Sequence, residues 1–334
     1  MEFTLIGIIK KGKDNTRYLV SLETGGFASI LLKTDLYQIG DQLTLENLEK
    51  RELNDIVFKE TWIKKALGVN EYKRAIYEHL NQYKLRVLKI EEDGYWVNKD
   101  GEKQFYNHIL PDNQIEKNLI NSAYFDSIKR VYDQLKQKGE IHLGFKNLNS
   151  SQAFALNFFQ PLIEENLLGE MFELGDIKKS CFEMKCKDDT QFDFFIESEC
   201  CEVSFEVKYS EEGFGTARND ISHQNKWKEL YEKDIKQIAP EISEDDFFSE
   251  YQLWRNILFT LNDKHKSFFL FPSFRKDLKE TIEKTIEGTH LHKENVKIIF
   301  SDTICKNIIN GNYPQKLKDH YIEFQKKYGD IKIK

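Results

Sequence analysis

What the 334-residue chain lacks narrows its class first. No apolar run approaches the roughly 20 residues that a membrane-spanning helix needs; the longest, such as Ser267 to Phe271, are far shorter. The opening Met-Glu-Phe-Thr has neither a basic region nor a small-residue cleavage site, so no secretory signal is expected. The 5 cysteines are an odd number without metal-ligand spacing, which points to free thiols in a reducing cytoplasm. Adjacent Cys200 and Cys201 are not expected to bridge each other. Proline is scarce, at 5 residues, and no low-complexity tract interrupts the chain. P-loop, Rossmann, Ser-His-Asp and zinc-finger patterns are all missing. Positive charge is not in excess: the net charge of −7 argues against non-specific coating of nucleic acid, but leaves local phosphate-binding patches open. What is present is core-forming material, 40% hydrophobic with 25 phenylalanines, enough for two domains or one large one.

Taken in order, residues 1–66 read as a small β-rich unit. Phe3 to Ile9, Tyr18 to Leu22, Ala28 to Leu32 and Gln42 to Leu45 are the expected strands, with turns at Asp14-Asn15, Gly25-Gly26 and Gly40-Asp41. That spacing suits a small barrel or curled sheet. Lys10, Lys11, Lys13 and Arg17 gather near the first turn, as a solvated hairpin tip or a nucleic-acid contact. Residues 67–147 form a connecting region. It holds a helix from Glu71 to Leu85, hairpins over Arg86 to Tyr106 at the two Asp-Gly turns, and a helix from Tyr124 to Lys138. Tyr95, Trp96 and Tyr106 are read as packing residues.

The helix beginning after Asn149 or Ser150 is apolar on most sides, so it is expected to be buried, and Pro161 should kink or end it. Its amides Gln152, Asn157 and Gln160 then need partners. Strands follow at Cys181 to Lys187, Phe192 to Ile196 and Val203 to Tyr209. Next come a Gly213-Phe214-Gly215 loop, a helix over Asp220 to Ile238, and a helix over Phe247 to Asn262 capped by Glu244 or Asp245. Strand Ser267 to Phe271, helix Asp277 to Glu287 and strand Val296 to Phe300 lead to closing helices. The expected class is therefore mixed α/β.

The chemistry gathers on the middle pair of strands. Side chains alternate between faces of a strand, so Glu206 and Lys208 share one face. A symmetric hairpin through Ser198-Glu199-Cys200-Cys201 puts Asp193 opposite Glu206. Two close carboxylates repel unless one is protonated or a cation lies between them. A hard divalent ion with oxygen ligands resolves this, and a neighbouring lysine can orient a water. The same residues also suit a plain solvated sheet face. Gln252 and Arg255, three residues apart on one helix face, are candidate phosphate contacts or an ordinary exposed face. His290 and His292 lack a third ligand nearby, and His142 and His223 have no evident partner.

These features resemble the PD-(D/E)XK nuclease superfamily, and within it a group of restriction-endonuclease-like bacterial proteins. Two stretches carry the resemblance. One is Ser150-Ser151-Gln152-Ala153 running to Asn157-Phe158-Phe159 and Pro161-Leu162. The other is Phe205-Glu206-Val207-Lys208-Tyr209-Ser210-Glu211 with Gly213-Phe214-Gly215; Asn107 to Pro111 adds to it. The helix, three strands, helix, strand order matches the α-β-β-β-α-β core, which places a nuclease domain at 148–334.

The resemblance implies Asp193 and Glu206 as metal ligands with the Val207 carbonyl, and Lys208 as the residue that positions the attacking water. Gln152, Gln252 and Arg255 are the substrate-side candidates. Phe192 stands where the motif has proline. The acid that many members carry on the first core helix has only Glu164 and Glu165 as nearby candidates. The implied function is Mg²⁺-dependent (or Mn²⁺-dependent) hydrolysis of DNA by a cytoplasmic endonuclease, in restriction or anti-phage defence, as a homodimer or with a defence-system partner. The alternative is a non-catalytic nucleic-acid- or partner-binding subunit that keeps the fold.

Overall fold

The computed structural model describes residues 2–11, 15–22, 27–33, 42–44, 60–185, 190–217, 221–291, 293–329 and 331. Its internal contacts divide the chain into two compact units, Met1–Ala75 with Ile333–Lys334, and Ile76–Lys332.

In the first unit, β1 (Glu2–Lys11), β2 (Asn15–Leu22), β3 (Phe27–Lys33) and β4 (Gln42–Thr44) form an antiparallel sheet in the order β3-β2-β1-β4. Leu5, Tyr18, Val20, Ile30 and Leu32 are buried. Two register shifts in β1 bend it, as bulges do. The expected turns at Gly25-Gly26 and Gly40-Asp41 lie outside the described residues, as does Lys13, and so do the side chains of Lys10 and Lys11.

Apart from one helix that begins in the first unit, the remaining elements lie in the second. Helix α1 (Glu60–Arg86) is longer than the expected Glu71 to Leu85. The region after it contains one hairpin, β5 (Gly94–Val97) with β6 (Lys103–Tyr106), rather than two. Asp93-Gly94 is not its turn. Gly94 opens β5 against Leu110, where a Cβ would lie 2.2 Å from the carbonyl oxygen, and Asp93 is drawn to the buried Lys84 ammonium at 2.5 Å. Trp96, Phe105 and Tyr106 are exposed, so packing is not what two of the aromatics singled out by sequence, Trp96 and Tyr106, do here.

Next come α2 (Phe125–Lys138), α3 (Ser151–Glu164), α4 (Leu168–Phe172), β7 (Ile177–Lys185), β8 (Gln191–Ser198) and β9 (Glu202–Val207). Helices α5 (Ile221–Lys226) and α6 (Glu232–Ile238) are joined by a π turn at Trp227–Tyr231. The single helix expected from Phe247 to Asn262 is two, α7 (Glu244–Ser249) and α8 (Tyr251–Phe259). The cap of α7 is Ser243, in a reciprocal capping box with Asp246, not Glu244 or Asp245. Strand β10 (His265–Phe271), α9 (Lys276–Glu287), β11 (Val296–Phe300), α10 (Ser301–Asn310) and α11 (Gln315–Tyr328) complete the chain.

The central sheet runs β11-β10-β9-β8-β7, with β7-β8-β9 an antiparallel meander and β9-β10-β11 parallel. Strand alternation gives it two different faces. On one, Phe194 and Phe205 meet Phe159 of α3, with ring centroids 4.0 and 5.0 Å away. On the other, Phe269 and Phe271 pack with Leu253 and Ile257 of α8 and with Leu278 and Ile282 of α9.

Helix α3 is buried from Gln152 through Leu162, and each large apolar side chain so covered contributes about 1.5–3 kcal/mol relative to exposure. Pro161 neither kinks nor ends it at once. The missing N–H frees the Asn157 carbonyl, which His320 Nε2 fills from α11 at 2.8 Å, and the Tyr321 hydroxyl donates to the next carbonyl, Phe158, at 2.6 Å.

Candidate active site

The site is built where β8 and β9 part. Their ladder runs from Glu197↔Glu202 to Phe194↔Phe205 and then stops. One step further the same register would oppose Asp193 to Glu206. Instead, the Asp193 carboxylate turns inward, and its Oδ2 accepts the Val207 amide at 2.7 Å, in place of a strand carbonyl. The turn that sets this register has no glycine. Ser198 closes it, pairing its amide with the Cys201 carbonyl while its hydroxyl accepts the Cys201 amide.

Glu206 and Lys208 follow on the α8 face, 5% and 6% exposed. Lys208 Nζ lies 2.9 Å from Glu206 Oε1 and donates to Gln252 Oε1 at 2.7 Å. Asn256, one helical turn beyond Gln252, donates to Glu206 Oε2 at 3.1 Å. The site faces water at Asp193, which is half-buried, and at Gln252, which is exposed.

Burial, Glu206 and then Glu183 hold the Asp193 carboxyl well above the ordinary carboxylate range. For Lys208, burial alone would lower the pKa. The charges of Glu206, Glu211 and Asp193 more than offset that and raise it. The ammonium is therefore fixed in its charged form between a carboxylate and an amide oxygen.

The surrounding loops explain the two sequence signatures. Gly213-Phe214-Gly215 wraps the start of α8: Tyr251 and Gln252 amides donate to the Gly215 and Phe214 carbonyls. Gly215 has φ +70, which favours glycine, and a Cβ there would lie 2.9 Å from Gln252 Oε1 and displace that side chain. From the other side, Ser150 caps α3, Asn149 donates to Ser210 at 2.6 Å, and Gln152 donates to Glu183 at 2.6 Å. Asn107 to Pro111 runs alongside, with backbone bonds from Leu110 to Lys146 and from Leu148 to His108.

Of the residues singled out by sequence, Asp193, Val207, Glu206, Lys208 and Gln252 come together. Val207 meets Asp193 through its amide. Arg255 points to the loop between β7 and β8, bonding Thr190 at 3.1 Å and lying over the Tyr251 ring. Gln152 spends its amide inside the protein, on Glu183, the Glu140 carbonyl and the His142 amide. Glu165 is occupied elsewhere, by Tyr124 and Lys316. His223 packs edge-on against Phe248 and Tyr251, and His292 lies outside the described residues.

Four residues escaped the sequence reading: Asn256, Glu183, Glu211 and Arg275. Arg275 is fully buried after β10. Its guanidinium donates to the Tyr209 and Glu211 carbonyls at 2.7 Å each and pairs with Asp277, fixing the backbone that carries Lys208. Glu211 accepts the Tyr209 and Ser210 amides. The i,i+4 spacing of Gln252 and Asn256 was a usable signal for one of the four.

Among the described residues no group of three His, Cys, Asp or Glu side chains is arranged to hold a metal unaided. The donor set nonetheless suits a divalent cation with oxygen ligands. Two carboxylates converge, one of them disfavoured as an anion by its neighbours, and the buried Oδ1 of Asn256 beside Glu206 lacks a donor among the described residues.

The family model described as restriction endonuclease associating with ARP matches residues 77–329, more than half of the chain. The protein belongs to this family. The match spans the central sheet, both signatures and every residue of the site just described. No curated protein and no solved structure matches the chain significantly. Among the described residues, no helix is long and apolar enough to cross a membrane.

Proposed function

We propose that this restriction-endonuclease-family protein is a metal-dependent endonuclease of the PD-(D/E)XK type, hydrolysing DNA phosphodiester bonds in restriction or anti-phage defence. The observation that carries the reading is the convergence of Asp193, Glu206 and Lys208 at the parting of two strands, where half-buried Asp193 reaches water. The helix, meander, helix, strand order around it supports the same reading.

Asp193, Glu206 and the Val207 carbonyl would hold Mg²⁺ or Mn²⁺. Such an ion supplies neutralisation of charge that develops on the phosphate. The chain's own part is positional. Gln252 draws the Lys208 ammonium to the solvent side, where it orients a water and stabilises negative charge on a phosphate oxygen. Asn256 holds the Glu206 carboxylate in plane. Arg275 and Glu211 lock the segment behind Lys208, so the ammonium does not have to be ordered during the reaction. Gln252, exposed beside Lys208, lines the approach for substrate.

Plasmid DNA incubated with Mg²⁺ tests the reading. The wild type is expected to cut; Asp193→Ala, Glu206→Ala and Lys208→Ala are not, with each variant's fold checked by circular dichroism. Equal cleavage by all four proteins rejects the assignment.

The family description also names a partner, and a second reading makes the protein a subunit that binds nucleic acid or that partner without cleaving DNA. It predicts DNA or partner binding without turnover, and no Mg²⁺ or Mn²⁺ site by calorimetry.

A further inference from the structure

Beside the proposed nuclease site lies a second polar cluster, linked to it through the charge of Glu183 on Asp193. Glu183, in β7, is flanked by the ladder pairs Phe182↔Phe194 and Met184↔Phe192, which puts it across from Asp193 on β8. It is 5% exposed and has φ +53, a left-handed conformation that costs a non-glycine residue about 1–3 kcal/mol and is held only where its surroundings enforce it.

The enforcing groups are two amides: Gln152 Nε2 donates to Oε1 at 2.6 Å and Gln191 Nε2 to Oε2 at 2.5 Å. The cationic partner is His142, whose Nε2 lies 3.6 Å from Oε2, an ion-pair rather than a hydrogen-bond separation. The same Gln152 also accepts the His142 amide at 2.9 Å and donates to the Glu140 carbonyl at 2.8 Å. One buried side chain thus fixes both the carboxylate and the backbone that carries the imidazole. The ring itself is 53% exposed, and no hydrogen bond engages its Nδ1 among the described residues.

We propose that His142 is a DNA-phosphate contact of this site, with Glu183 as the residue that positions its ring; the inference rests on the nuclease reading above. A counter-charge for Glu183 alone would not need three amide bonds to hold backbone and carboxylate in register. A donor that must meet a ligand in a fixed direction does. The Glu183 carboxylate beside the ring, opposed by partial burial and aided by the Glu211 charge, holds the His142 pKa above the ordinary histidine value, which favours the doubly donating form. Glu183 also acts on Asp193 through its charge, so His142, paired with Glu183, places a cationic donor beside the acidic site.

The test is the affinity of the full-length protein for a fluorescent DNA duplex, measured by anisotropy across a range of KCl with Ca²⁺ present, beside cleavage assays with Mg²⁺. His142→Ala, at a half-exposed position, is expected to bind about three- to tenfold more weakly. Its slope of log affinity against log salt should be shallower by about one. His142→Arg keeps a cationic donor and should recover both, and Glu183→Gln should weaken binding by less than His142→Ala. Wild-type affinity and slope in His142→Ala overturn the proposal, as does weaker binding with an unchanged slope, the mark of a structural role. If the wild type cuts DNA in that case, the nuclease reading survives alone. A wild type that neither binds nor cuts duplex overturns both.

Discussion

Two buried lysines on opposite faces of the central sheet show how differently this fold treats one residue type. Lys327, in α11, is fully buried and donates to Asn118 through its carbonyl and side-chain oxygens, at 2.5 and 2.6 Å. With no carboxylate paired to it among the described residues, burial drives its pKa well below the lysine range and favours the neutral amine. Lys208 is buried almost as deeply, but Glu206 faces it and it stays charged. The α3–α11 side is thus a sealed polar seam: Asn157 bonds the Ile120 amide and the Asn118 carbonyl, and His320 bridges Ser122 and Asn157. The α8 side retains charge and an opening to water. Burial decides neither outcome by itself; the presence of a counter-charge does.

That contrast breaks most sharply at the open side. Removing Asp193, Glu206 or Lys208 as alanine variants is expected to lower plasmid cleavage by about a thousandfold or more. Lys208→Ala also leaves Glu206 buried without its partner and should cost about 3 kcal/mol in urea unfolding.

The sealed side makes predictions through pH. The pKa of His320 is lowered to about 4 by burial, so unfolding takes up a proton between the unfolded histidine value and that point. Stability should fall by about 3 kcal/mol as pH drops from 6.5 to 4, and a His320→Gln variant should lack this component. Lys327 works in the alkaline direction. A lysine held below its ordinary range binds less proton folded than unfolded, so its share of stability rises with pH up to the ordinary lysine value, by at most about 1.4 kcal/mol per unit. The difference between wild type and Lys327→Met across pH 7 to 10 measures it. If the two proteins keep a constant gap, Lys327 is charged in the fold and the contrast collapses.

Smaller effects sharpen the same picture. Gly215→Ala meets both a left-handed backbone and Gln252, and should cost about 1–2 kcal/mol while moving Gln252 off Lys208 and slowing cleavage. Arg255→Ala, which loses Thr190 and the Tyr251 face, should change stability by no more than about 0.5 kcal/mol.

Much of this was legible in the sequence because it depends on local alternation. The phenylalanines of β8 and β9 announced their own strands, and the Glu-x-Lys spacing put two groups on one face. The glycine pair flagged the loop that wraps α8. What was hidden depends on distant contacts. Arg275 looks like a turn residue after Pro272, and only the return of the chain buries it against Tyr209 and Glu211, 66 and 64 residues away. Glu183 reads as the solvent face of an edge strand until Gln152 and Gln191 close on it. Pro161 suggested a break because the histidine that satisfies the freed carbonyl lies 163 residues on.

The parting of β8 from β9 makes one position serve two masters. Asp193 plugs the gap in the ladder with one oxygen and, in the proposed reaction, would give the other to a cation. An amide side chain of the same shape can keep the plug while losing the ionisable group. Architecture and reactivity are therefore separable by a single atom at this position, and a silent copy of the protein with Asp193→Asn would be hard to tell from an active one by shape alone.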